Sequence, residues 1–344
     1  MRLKNKDIAE KLGISTTAVS LALNNRPGVS EETRRKVLEL VNATATEAIQ
    51  NMSQEEDMTG RSVLLSVHKK HGMIINDKPF FSDIVENVQQ ELLARSYSMI
   101  LTHYTPDQEM EHYVQYINSL PVAGTIIMAT ELDQADLECY KKLKTPIVLM
   151  DGSFDLQDVD SVSLDNQTAV FRSFDYAYQM GHRNIGYLKS SVFINNFGHH
   201  FDGFLKGIHA YHLEQSNHPV IPLPCNVEDA YLEMDRFLSA PPAGFTMPSI
   251  FLADLDYIAV GAMRALKEHG YRIPEDVSMI GYDDVSVSAA CEPPLTTTRV
   301  NHAEIGKIAV RVLLDRLANP RKCTTTTQVS SELILRSSVK KLIP

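Results

Sequence analysis

The chain has 344 residues, 44 % hydrophobic and 22 % charged, with 33 basic and 43 acidic side chains for a net charge of −10. That composition excludes a disordered chain, and the length suits two or three domains. No apolar run approaches the roughly 20 residues that span a bilayer, so no membrane partner is expected.

Met1 to Asp7 has no apolar stretch behind it, which argues against a secretion signal and for the cytoplasm. The cysteines, Cys139, Cys225, Cys291 and Cys323, are too scattered for a zinc site or a disulfide framework. Neither a metal nor a cofactor is expected. Residues 1–50 carry eight basic and six acidic side chains, whereas the rest carries 25 and 37. A slightly basic head on an acidic body confines any phosphate contact to the head.

The first elements read as short helices. Ile8, Ala9 and Leu12 share one face and end at Gly13, a residue that accepts positive φ. Ser15 caps a second helix whose inner face is Ala18, Val19, Ala22 and Leu23. Asn24-Asn25-Arg26-Pro27-Gly28 breaks it. Ser30 then caps a third helix with Val37, Leu38 and Val41 inside. Two short helices across a glycine turn, closed by a third, make a helix-turn-helix. The second helix exposes Thr16, Thr17, Ser20 and Leu21, groups that donate to phosphates or base edges or touch thymine methyls. The start of this helix at Ser15 suits a phosphate, and Asn24, Ser30, Thr33 and Arg34 are candidate backbone contacts.

Asp7-Ile8-Ala9-Glu10-Lys11-Leu12-Gly13-Ile14-Ser15, Val19 to Asn24 and Val29 to Val37 closely resemble the head of the LacI/GalR family of transcriptional regulators, and the resemblance continues to the C-terminus. It implies that Thr16, Thr17 and Leu21 are the main readers of DNA sequence. Leu21 departs from members with Arg there and reads no guanine by hydrogen bonds. The hinge departs further. Family members continue with Tyr-x-Pro-Asn and a short helix whose Leu wedges into the minor groove. This chain has Asn42-Ala43-Thr44-Ala45-Thr46 and then Glu47 to Met52, with neither Pro nor Tyr. Ile49 and Met52 are the candidate wedges. Gln54-Glu55-Glu56-Asp57 follows, and acids sit poorly beside phosphates.

Residues 61–340 alternate apolar strands and helices. Strands are expected at 62–67, 99–102, 124–128, 146–150, 185–188, 249–252 and 277–282, with helices at 82–95 and 109–120 among those between them. This pattern argues for parallel, doubly wound sheets, and about 280 residues are too many for one of them. The expected organisation is a helix-turn-helix head at 1–45, a linker at 46–60 and a core at 61–340. The fold class is an all-α head followed by an α/β core with two doubly wound parallel-sheet lobes. The resemblance implies a periplasmic-binding-protein-like core crossed three times, near 160, 290 and 326. The first lobe would hold 61–160 and 291–326, and the second 161–290 and 327–340.

Ligands of open α/β sheets sit beyond the carboxyl ends of the strands. Phe80, Phe81, Thr130, Asp151, Asp256 and Asp283 lie there, and the resemblance adds Tyr257 and His200 as effector-lining positions. His200 stands where the family often has Arg, so a fork for carboxylate or phosphate is missing. The expected effector is neutral or cationic, such as an uncommon sugar, and both His199 and His200 also fit a plain surface. The loop from His68 to Lys78 is about six residues longer than the family's; it reads by default as solvated, with a fold over the pocket mouth and a β-hairpin as the alternatives. No G-x-S-x-G, phosphate loop, H-E-x-x-H or dinucleotide glycine motif points to an enzyme.

The sequence therefore reads as a DNA-binding transcription regulator, a repressor by expectation. It would act as a homodimer on a pseudo-palindromic double-stranded operator, controlled by a small-molecule effector. A solute-binding module with a degenerate hinge is the alternative.

Overall fold

A computed structural model describes residues 9, 12–23, 28–30, 33, 36–37, 61–75, 79–154, 158–215 and 217–342. The chain divides into two compact units, 1–61 and 62–344.

In the first unit, Ala9 and Leu12 are helical and Gly13 turns the chain at φ +64°. Ile14 N–H closes the turn on Ala9 C=O at 3.1 Å. Helix α1 (Thr16–Leu23) follows, with Ser15 Oγ accepting from Ala18 N–H at 3.1 Å. Ser30 Oγ likewise accepts from Thr33 N–H at 3.2 Å. Ala9, Val19, Ala22 and Val37 form the core, with Leu12, Ile14 and Val29 packed on it. Both expected caps are present, and of the expected inner faces Ala9, Leu12, Val19, Ala22 and Val37 are in or against the core, while the side chains of Ile8, Leu23, Leu38 and Val41 lie outside the described residues.

The second unit runs β1 (Ser62–His68), α2 (Pro79–Leu93), β2 (Ser98–Tyr104), α3 (Met110–Ser119), β3 (Gly124–Met128), α4 (Gln134–Tyr140), β4 (Ile147–Met150) and β5 (Asp160–Leu164). It continues with α5 (Asn166–Gln179), β6 (Ile185–Ser190), α6 (Asn195–Ala210), β7 (Val220–Leu223), α7 (Val227–Ser239), β8 (Ile250–Ala253) and α8 (Asp256–Glu268). The last elements are β9 (Ser278–Asp283), α9 (Ser286–Ala290), β10 (Thr296–Arg299), α10 (His302–Ala318), β11 (Thr326–Val329) and β12 (Glu332–Ile334).

Two six-stranded sheets result, in the orders β11-β5-β4-β3-β1-β2 and β12-β10-β9-β8-β6-β7. Every pairing is parallel except β10 with β12. The apolar strands are nearly continuous because helices cover both faces.

The lobe boundaries differ from expectation. β5 lies wholly in the first sheet, β10 in the second and β11 in the first. The chain crosses at 165, at 300–301 and at 330–331, not near 160, 290 and 326. The expected breaks were carried over from the resemblance. The actual crossings occur where a strand runs out at its carboxyl end. β5 is polar in sequence, Asp160-Ser161-Val162-Ser163-Leu164, yet buried throughout. Its Asp160 carboxylate is matched by Arg316 of α10, with Nε at 2.6 Å and Nη2 at 2.8 Å, and by Thr325 N–H at 2.7 Å.

Candidate functional site

The carboxyl ends of both sheets face a cleft between the lobes. From the first lobe come Ile74, Thr130, Asp151, Leu164 and His302, and from the second Asn166, Asn196, Phe197, His200, Tyr282 and Asp283 among others. The free cavity they enclose is only about 40 Å³.

Asp151 follows β4 with φ 59°, a left-handed conformation that Asp tolerates better than most residues. Its carboxylate accepts from Thr130 Oγ1 at 2.6 Å and from Asn196 Nδ2 at 3.3 Å. Asn196 Nδ2 also lies 3.3 Å from the Asp151 carbonyl, so α6 of one lobe is tied to the end of β4 in the other. Burial pushes the Asp151 carboxyl up to about 6 against these donors.

His200 is buried in α6, where its surface reading fails. Its Nδ1 lies 3.2 Å from Asp254 Oδ1 and its Nε2 3.3 Å from Asn166 Oδ1. Its ring sits 4.1 Å from that of Tyr282, whose hydroxyl donates to the same Asn166 oxygen at 2.8 Å. Asp254 is fully buried and accepts from Tyr187 Oη at 2.5 Å and Ser190 N–H at 2.6 Å. His302, also at the cleft, is pushed down to about 4 by burial. Asp283 has φ 104° at the end of β9.

Four expected residues, Thr130, Asp151, His200 and Asp283, are thus brought together. Asp256 is not at the cleft. It is buried at the start of α8, accepting from Thr297 Oγ1 at 2.5 Å and Val285 N–H at 2.9 Å, and burial raises its carboxyl to about 7. It ties β10 and the β9–α9 loop to α8. Tyr257 is half-buried outside the lining, although the charge of Asp283 reaches it. Phe81 is half-buried on α2, its ring 6.3 Å from that of His103. The Phe80 side chain lies outside the described residues.

Asn166, Asn196 and Ile74 were missed. Asn195-Asn196 at the first turn of a helix following a strand was a readable signal for a polar group at the crevice.

Residues 5–45 match "Bacterial regulatory proteins, lacI family", and residues 174–339 match "Periplasmic binding protein-like domain". The HTH-type transcriptional repressor PurR of Mannheimia succiniciproducens is 29 % identical over 342 residues, covering 98 % of both chains. PurR of Haemophilus influenzae (strain ATCC 51907) is 28 % identical over 347 residues, covering 98 % of this chain and 99 % of that one.

The chain joins a lacI-family helix-turn-helix head to a periplasmic-binding-protein-like domain.

The LacI-family fold is seen again in two solved structures. A transcriptional regulator CelR–cellobiose complex superposes with TM-score 0.71 at 22 % identity, over 98 % of this chain and 100 % of that one. The lac repressor dimer bound to operator and the anti-inducer ONPF gives TM-score 0.71 at 21 % identity, over 99 % and 100 %. With this head, this core and the similarity to PurR repressors along the whole chain, the protein is a DNA-binding transcription regulator. In its head, Thr16 and Thr17 are exposed, Ser20 and Leu21 are half-buried, and a Cβ on Gly28 would stand 3.2 Å from Leu21 Cδ1. Asn24, Arg34, Ile49 and Met52 lie outside the described residues.

Proposed function

We propose that this regulator represses transcription as a cytoplasmic homodimer, each head reading one half of a pseudo-palindromic operator. In this reading Thr16, Thr17, Ser20 and Leu21 face the bases. Ser15, Asn24, Ser30, Thr33 and Arg34 hold phosphates, and Ile49 or Met52 wedges the minor groove. The observation supporting effector control is the ring of Asp151, Asn166, Asn196, His200, Tyr282 and Asp283, contributed by two lobes and buried beyond their strand ends. A ligand there alters the approach of the lobes, and that change is linked to operator affinity. The described lining contains no Lys or Arg, so a neutral or cationic ligand with hydroxyls or a flat ring fits better than a phosphate or carboxylate. The cleft binds this ligand without transforming it.

Selection of bound duplexes from a random pool with full-length protein at low salt tests the reading. A two-fold symmetric motif is the expected result. Salt-sensitive binding without any motif would overturn it and favour a solute-binding module. Titration with monosaccharides, amino sugars and sugar phosphates tests the ligand class, and tightest binding by a phosphate would refute it.

A further inference from the structure

The segment between β1 and α2 is not the solvated loop expected from its sequence. Ile74 and Ile75 are 4 % and 2 % exposed. The buried Glu131 carboxylate, just past the end of β3, gathers five backbone N–H groups of this segment. Oε2 accepts from Lys70 at 3.0 Å, His71 at 3.1 Å and Gly72 at 2.8 Å, and Oε1 from Ile74 at 2.9 Å and Ile75 at 3.2 Å. Burial alone would push this carboxyl up, but the amides of Gly72, Ile74 and His71 hold it below its ordinary value. The Lys70 ammonium adds a second anchor, to Asp133 and, at 3.0 Å, to Asp136 on α4.

Held in this way, the segment spans the lobes. Ile75 joins the apolar cluster that holds Val67, Ile84, Met128 and Met150 of the first lobe and runs on into the second. Ile74 enters a different cluster, with Ile194, Phe197 and Leu255, whose other buried members all belong to the second lobe. Ile74 also lines the cleft itself, beside Thr130, Asp151 and His200. The remaining space of about 40 Å³ admits no more than a few water molecules, each needing roughly 10–15 Å³.

We propose that residues 70–75 are a built-in ligand of the interlobe cleft. Ile74 is the group that occupies it and joins the lobes in the absence of effector. This rests on reading the cleft as the effector site, and it makes Ile74 a determinant of which effectors bind, since an incoming molecule competes with it for the same space.

Amide hydrogen exchange on the full-length, ligand-free protein tests the proposal, comparing wild type with Ile74→Ser and Glu131→Gln. In the wild type, amides 70–75 are expected to be protected. Either substitution should accelerate their exchange at least tenfold. Either should also accelerate exchange, across the cleft, in the first turn of α6 at 195–197, while β1 and β8 stay as protected as before. Unprotected amides at 70–75 in the wild type would overturn the proposal, as would an α6 turn indifferent to both substitutions. If Ile74→Ser also exposes β1 and β8, it has unfolded and Glu131→Gln decides. The readout involves no DNA, so failure of the operator selection and failure of this proposal are separate results.

Discussion

The Asp151 carboxyl is buried beside Thr130 and Asn196 and raised from an ordinary 3.8 to about 6. A group that holds its proton more tightly when folded contributes stability fully below about pH 4 and loses it as pH rises through about 6. Two units correspond to roughly 3 kcal/mol as an upper scale. Asp151→Asn keeps a side chain that tolerates positive φ and removes the charge. It should raise the urea midpoint at pH 7.5 by the equivalent of about 1–3 kcal/mol and flatten the fall between pH 4 and 6. An unchanged pH profile would locate the titration elsewhere. Glu131 works in the opposite direction, because its carboxyl is lowered when folded. Its contribution is present above the unfolded value of 4.5 and is lost as pH falls through the lowered one. Limited pepsin digestion should therefore cut within 70–75 at pH 2 and spare the segment at pH 5. At this scale the sequence was half legible. Asp151 and His200 stand in recognisable places, but Ile74 does not, because nothing near it in the sequence shows that Glu131, 57 residues on, will gather its backbone.

Elements were more legible than residues. The apolar strands appear where they were expected, within a few positions, because each is a continuous buried run. β5 and β10 were hidden, since Asp160-Ser161 and Thr296-Thr297-Thr298 are polar by composition and buried by partners that only the tertiary fold supplies. Close helix contact was also invisible. A Cβ on Gly207 of α6 would stand 2.3 Å from the ring of Phe174 on α5. Gly207→Ala should therefore destabilise the core by about 2 kcal/mol or more in urea unfolding, despite better helix propensity. In the head, Ser15→Ala removes the α1 cap at a cost of about 1 kcal/mol. Exchange within α1 should quicken roughly fivefold while β1 is unaffected. Equal rates would show that Ser15 Oγ is dispensable as a cap.

At the scale of the whole molecule, the acidic excess resides outside the first fifty residues. Operator affinity should fall steeply with salt, by roughly tenfold or more between 50 and 200 mM, if the basic head neutralises phosphates as proposed. Filter binding measures this, and sedimentation at micromolar concentration tests the dimer. The two-lobed plan was legible from strand–helix alternation and chain length, but the crossings, carried over from the resemblance, were displaced because they are set by where β5, β10 and β11 end. Those crossings, at 165, 300–301 and 330–331, are three strands of chain passing between the same two bodies. A single tether would leave the lobes free to swivel and slide, whereas three side by side restrict them to a bend about one line. The arrangement is also redundant: a molecule cut by a protease at any one crossing remains joined by the other two. Backbone continuity between the lobes and mechanical coupling between them are therefore separate properties of this chain.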